Sequence, residues 1–274
     1  MLGLVVERPS WYLSDGQEIV ANLIFGAVAI LALVFMVHVM RKEKRRYPLF
    51  MFLGAGLAVF YEPINNVLGL CTYPESGQAT WINTFGRQIP TYIGFVYFFY
   101  FSATILWLMR RIRAGVTVRQ WARYYTVGVV LCTSFELIPI HLGWWKYYGD
   151  HQAMRVLDFP MWWWFANPMC LFAMATLFHF LREHAITDRL SPLFVPLYPV
   201  ALFAMHGSAA IPVFTYLNSS TNQAVGVAAT LITIGWSITV IWITSRLVAV
   251  QEQPVPVGAV AEPVLRTREV VAVS

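Results

Sequence analysis

The chain has 274 residues, of which 58% are hydrophobic and 12% charged, with a mean hydropathy of +0.59. A water-soluble domain carries about 25% charged residues, so this composition excludes a soluble globular domain, a secreted disulfide scaffold and a disordered chain. The net charge of +5 would suit nucleic acid, but the basic residues stand between apolar runs, where they write membrane topology. No nucleic-acid partner is expected.

Crossing the hydrocarbon core takes about 20 apolar residues. Seven segments qualify in chain order: 18–40, 49–70, 89–109, 121–143, 161–181, 192–216 and 223–249. They predict an all-α polytopic membrane protein, a seven-transmembrane-helix bundle over 18–249, multi-pass in the cell membrane. The stretch 1–17 holds Glu7, Asp15 and a single cation, Arg8, whereas a cleaved signal sequence opens with positive charge. It is expected to be an extracytoplasmic segment.

Fifteen of the 19 basic residues fall in alternate connections: 41–46, 110–123, 182–189 and the end of the chain, with Arg246, Arg266 and Arg268. The remaining connections hold only Arg8, Arg87, Lys146 and Arg155. Seven crossings put all the basic connections on one side, so the N-terminus is predicted outside and the C-terminus cytoplasmic. The segment 250–274, with scattered Pro and Val and no helical period, is expected to be a disordered cytoplasmic tail. The loops 71–90 and 144–160 are aromatic-rich, and Trp81, Trp144, Trp145 and Trp162–Trp164 suit the headgroup level.

Two stretches match in spacing. Glu62 is followed by Leu68-Gly69 and Tyr73; Glu136 is followed by Leu142-Gly143 and Tyr147. Each then runs through a loop to a proline, Pro90 or Pro160, before the next apolar segment. The spacing predicts a parallel internal repeat of a two-helix unit, related by an axis along the membrane normal.

Glu62 and Glu136 are also the only acids well inside the apolar segments. An ionised carboxylate costs about 3 kcal/mol at the centre of a membrane helix, and such residues usually face the bundle interior. Asn65, Asn66 and Gly69 share one helix face with Glu62, and Asn167, His206 and Ser208 lie at similar depth. Pro63, Pro139, Pro168 and Pro212 stand near these positions. A proline frees a backbone carbonyl, which a membrane tolerates where it lines an enclosed cavity. One outer-half pocket is predicted, walled also by Thr91, Tyr92 and Tyr97.

Each of these groups has a plainer reading. The two Glu could be hydrogen-bonding glue between helices, and the Asn could simply bridge helices. His141, His179 and His184 are read as interfacial, Cys132 and Cys170 as buried apolar side chains. Cys71, Cys132 and Cys170 form no CxxC pair, and no HExxH, Walker or GxSxG motif is present. Helix 7 lacks the lysine of retinal proteins. No metal and no cofactor are expected.

Carboxylates and imidazole amid aromatics suit acid–base chemistry on an apolar substrate, with one carboxyl as acid and the other as base. Glu62 and Glu136 are the catalytic candidates. Asn65, Asn66, Asn167, His206, Tyr73, Tyr147 and Trp164 are the candidate substrate contacts, with Tyr61, Trp163 and Phe165 as further rings that stabilise developing positive charge. The alternative is a subunit that binds a hydrophobic ligand, or couples its transport to protons, without catalysis. A third reading makes it a structural subunit of a larger membrane complex. Partners in the first two readings are a lipophilic small molecule and the membrane lipids.

The stretch FYEPINNVLG (60–69), followed by Glu136-x5-Leu-Gly and KYYG (146–149), resembles the AveC-like spirocyclase family of actinobacterial membrane proteins. More distantly it is similar to membrane carotenoid cyclases and hydratases. The likeness covers about 60–103 and 134–178. Glu62-Pro63 stands where the family has Asp-Pro, with Asn66 matching its Asn; Glu136, Gly143, Tyr147, Gly149, Pro160 and Asn167 match its second motif. Pro168 occupies the place of a further family acid. The resemblance implies acid-assisted ring closure on a polyketide or isoprenoid.

Overall fold

The computed structural model describes residues 6–75 and 79–250. The expected tail at 251–274, with Arg266 and Arg268, lies outside the described residues, as do residues 1–5 of the expected N-terminal segment. Seven helical rods occupy the seven apolar segments. The first is α1 (Asp15–Glu43), opened by a reciprocal cap in which the Ser14 hydroxyl accepts from the Gln17 amide and the Gln17 side chain accepts from the Ser14 amide. That cap starts the helix three residues ahead of the apolar run.

The second rod is broken into α2 (Tyr47–Leu57), a 3-10 turn (Ala58–Tyr61) and α3 (Glu62–Leu68). Pro63 brings no N–H to the ladder, and the chain tightens just ahead of it. Next come α4 (Thr91–Arg113), α5 (Val118–His141) and α6 (Met161–His184). Thr117 and Gln120 form a second reciprocal cap, which begins α5 at Val118. The sixth rod is composite: a 3-10 turn (Asp188–Leu193), α7 (Phe194–Leu202), a π-helical turn (Phe203–Gly207) and α8 (Ser208–Leu217). The seventh rod, α9 (Gln223–Val248), starts on an Asn222 cap.

Six of the rods are long and apolar enough to cross a membrane. The other, α5, has 24 residues and carries Arg119, Arg123, Thr133, Ser134 and Glu136. Helix α1 is apolar all round, with Leu23, Ile30 and Leu31 more than 60% exposed. That surface suits lipid and not water. The core lies between α2, α4, α6 and α7, around Tyr92, Trp162, Phe178 and Tyr198. Helix α2 approaches its neighbours through glycines: a Cβ on Gly54 would stand 2.7 Å from the Phe194 carbonyl, and one on Gly56 2.1 Å from the Phe98 ring.

At the basic end one acid gathers four elements. Glu43 receives Arg110 at 3.2 Å, Arg113 at 2.9 Å and the Tyr47 hydroxyl at 2.9 Å, with Arg182 at 3.9 Å. Its side chain is 11% exposed, and the network ties together the ends of α1, α2, α4 and α6.

At the other end, six short strands among the described residues cover the bundle. They are β1 (Cys71–Thr72), β2 (Thr80–Thr84), β3 (Arg87–Pro90), β4 (Lys146–Tyr147), β5 (Arg155–Val156) and β6 (Phe159–Pro160). Strands β2–β3 and β5–β6 form hairpins, while β1 pairs antiparallel with β4 in the register Cys71↔Tyr147 and Thr72↔Lys146. The same order therefore occurs twice: long rod, short strand, hairpin, proline, long helix. Residues 6–14 lie across these strands. Trp11 donates to the Gly143 carbonyl at 2.7 Å, Lys146 sits 4.3 Å over its ring, and Arg8 pairs with Glu75.

The tryptophans differ from expectation. Trp81 is 41% exposed, as a headgroup residue would be, but Trp144, Trp145, Trp162 and Trp163 are each at most 5% exposed. The strands fold back over the helix ends, and these rings pack inward beneath them. Cys132 and Cys170 are buried, as expected.

Gly54→Ala should cost about 1–3 kcal/mol, because the obstructing atom is backbone and cannot rotate away. Gly26→Ala meets only the Phe95 ring at 3.5 Å and should change stability by less than about 1 kcal/mol, in the favourable direction. Thermal unfolding in detergent compares them; equal losses would contradict the close packing of α2.

Candidate functional site

Glu62 opens α3 immediately before Pro63, and Glu136 lies on α5 one turn before Pro139. Both line one cavity of about 80 Å³ beneath the β1–β4 pair. Each carboxylate is met by donors. The Tyr73 hydroxyl donates to Glu62 Oε1, and that of Tyr97 donates to Oε2 at 2.6 Å. Trp145 Nε1 and the Tyr147 hydroxyl donate to Glu136 Oε2 at 2.9 and 3.1 Å, and Asn167 Nδ2 reaches Oε1 at 3.4 Å.

The donors correspond in position. Tyr73 and Tyr147 each lie eleven residues after their Glu, and Tyr97 and Asn167 each lie seven residues after the proline that opens the next helix. Strand pairing fixes the first pair, since β1 and β4 carry the chain into the tyrosines side by side. Gly143 ends α5 at φ +72°, and Gly149 follows at φ +89°, where an added Cβ would stand 3.0 Å from Leu70. Gly143 lets the loop turn tightly enough to bring Tyr147 back over its own helix, and Gly149 lets the chain leave close past Leu70.

A chain of polar groups runs on from Glu136. Asn167 Oδ1 faces His206 Nε2 at 3.0 Å, His206 Nδ1 faces the Tyr61 hydroxyl at 3.1 Å, and Tyr61 reaches Asn65 Oδ1 at 3.2 Å. His206 is 2% exposed and sits in the π-helical turn, whose extra residue swings the ring inward; such turns recur at functional positions. An Asn oxygen only accepts, so His206 Nε2 carries the proton there. The single proton of Tyr61 then has two acceptors, His206 Nδ1 and Asn65 Oδ1.

Burial and the adjacent carboxylates push the Tyr73 and Tyr147 phenols well above their ordinary value, so both remain donors. Burial, then Glu62 and Glu136, likewise push the Cys71 thiol up. A protonated thiol is a poor nucleophile, which leaves Cys71 as a wall of the cavity. Among the described residues no three His, Cys, Asp or Glu side chains gather as a metal site.

Glu62, Glu136, Asn65, Asn66, Tyr73, Tyr147, Asn167 and His206 all line the cavity. Trp164 does not; its ring packs on Phe159 with centroids 6.1 Å apart. Helical rotation puts Trp163 on the wall in its place, 5.0 Å from the His206 ring. Phe165 is turned away, Ser208 returns its hydroxyl to its own helix, His141 is exposed, and Tyr92 anchors the Trp144 carbonyl at 2.7 Å. Sequence reasoning missed Cys71, Tyr100 and Trp145. Trp145 carried a signal: it lies two residues from Tyr147 in an extended stretch, so the two point the same way.

Comparison with protein-family models, curated proteins and solved structures found no match for this chain.

Tyr97→Phe should cost about 1.5–3 kcal/mol, the worth of a hydrogen bond to a charged group. In a Glu62→Gln background the same change should cost clearly less, because the two side chains act as one unit. A double-mutant cycle on thermal unfolding checks this; strictly additive losses would show that the pair is not coupled.

Proposed function

We propose that this is a cell-membrane protein of seven crossings in which Glu62 and Glu136 act as an acid–base pair, without metal or cofactor, on a lipophilic polyketide- or isoprenoid-type substrate of secondary metabolism. The observation that carries this is the convergence of two helix-borne carboxylates on one aromatic cavity. One carboxyl delivers a proton to the substrate and the other carboxylate removes one. Ring closure or isomerisation conserves the substrate's atoms, so each turnover returns the pair with its proton exchanged. The Tyr61, Tyr97 and Trp163 rings on the wall favour positive charge as it develops. The AveC-like resemblance of 60–69 and 146–149 points to the same reaction class.

The seventh crossing is supported by α5. It leaves the basic end after a short connection from α4 and ends at β4, beside β1. Its two ends therefore match those of the second rod, which is long enough to span. The bias of basic residues supports N-terminus outside and C-terminus cytoplasmic. The parallel repeat is supported by the strand register. Thr72 pairs with Lys146, and each lies ten residues after its Glu, so each pairs with its own counterpart. An axis through that pair, along the membrane normal, does the same for Glu62 and Glu136.

A cavity of about 80 Å³ is smaller than the roughly 300–1,000 Å³ of a drug-sized pocket. It takes the reacting end of a substrate while the rest stays in the bilayer. The same size favours a second reading, a proton-coupled binding or transport subunit, in which the polar chain from Glu136 to Asn65 holds protons and not a substrate.

In membranes given a lipid extract, the enzyme reading predicts conversion of a precursor into a product of equal mass and different retention. Glu62→Gln and Glu136→Gln should each lower that conversion by about 100-fold or more, the worth of a general acid or base, with folding retained. Unchanged conversion in both variants would overturn the acid–base reading. Activity that requires a proton gradient across sealed vesicles would favour the carrier.

A further inference from the structure

Asn66, a candidate substrate contact, makes no hydrogen bond within the protein. It is fully buried, it lines the cavity, and neither its Nδ2 nor its Oδ1 has a partner. Trp163 Nε1, on the same wall, is also unpartnered. Leaving such groups unpaired is unfavourable, and a leucine of similar volume would avoid the loss of the amide. An orphaned amide kept beside two carboxylates marks a place prepared for something else.

The rest of the wall says what that is. Every protein group on Glu62 and Glu136 donates: the Tyr73 and Tyr97 hydroxyls and the Asn65 side chain to the first, Trp145, Tyr147 and Asn167 to the second. A carboxylate has about four acceptor sites, so both keep acceptor capacity facing the cavity. No lysine or arginine lines it, and the aromatic residues Tyr61, Tyr97, Phe101, Phe135 and Trp163 do. Acceptors, aromatic faces and no competing cation recognise a positively charged nitrogen.

We infer that the cavity binds a small organic ammonium group, with N–H donated to Glu62, Glu136 and Asn66 Oδ1. The size fits a head of a few heavy atoms: about 80 Å³ is roughly half of a cavity that takes benzene. The inference uses the cavity of the proposed function but not its acid–base step. Binding is read without turnover, so either can fail alone. The ammonium comes either from a free amine or from the ethanolamine head of a lipid.

The test uses the full chain in a maltoside detergent, which carries no charged head, with ethylammonium as probe and ethanol as its neutral control. Ethylammonium should raise the unfolding temperature saturably, and ethanol should not. Glu62→Gln and Glu136→Gln should each weaken the apparent affinity about thirtyfold or more, as loss of one partner from a buried charge pair does. Asn66→Leu should raise the melting temperature of the ligand-free protein and remove the ethylammonium response, a pairing that a merely structural asparagine would not give. The same measurement in phosphatidylcholine nanodiscs, with and without phosphatidylethanolamine, assigns the source: a shift with the lipid alone identifies the headgroup, and a shift with the free amine a soluble ligand. No shift with either amine in the wild-type protein would overturn the inference, as would destabilisation by Asn66→Leu with the ethylammonium response intact. A shift with ethanol equal to that with ethylammonium would do so too, since the cavity would then be reading size and not charge.

Discussion

Two carboxylates inside a membrane-sized bundle must be answered by donors from within the protein, because the hydrocarbon offers none. That constraint organises the structure around them. Tyr73 and Tyr147 can reach their acids only because β1 and β4 pair and turn the two loops back over the helices. Tyr97 and Asn167 reach them because each following helix starts at a proline one strand-hairpin later. The backbone breaks in the second and sixth rods serve the same end, one placing Glu62 at a helix start and the other turning His206 inward.

The two halves meet these needs with the same spacing and different chemistry. A phenol answers Glu62 where an amide answers Glu136, and a polar chain from Asn167 through His206 and Tyr61 to Asn65 links the two halves. A site built from two like units need not treat its two acids alike. Tyr97 reaches Glu62 at 2.6 Å, while the corresponding Asn167 reaches Glu136 at 3.4 Å.

Much of this was legible in the chain. Hydropathy gave the rods, because a membrane segment must satisfy its own backbone whatever surrounds it. The matched Glu–Gly–Tyr spacings gave the two acids and their tyrosines, since a residue eleven positions on can return only through a tight turn. The inward packing of Trp144, Trp145, Trp162 and Trp163 was not legible: composition places such rings at an interface, and only the strands covering the helix ends make that region interior. Trp164 and Trp163 could not be told apart without the rotation of α6. The π-helical turn at His206 left no mark beyond a nearby Pro212.

Glu62 and Glu136 line one cavity. In a background freed of Cys71, Cys132 and Cys170, the pair Glu62→Cys and Glu136→Cys should be bridged by a short bifunctional thiol reagent. Bridging should join the two halves after the chain is cut between them. Ready labelling of each cysteine alone by a lipid-soluble maleimide, with no bridge formed between them, would put the two side chains on separate surfaces and contradict the shared site.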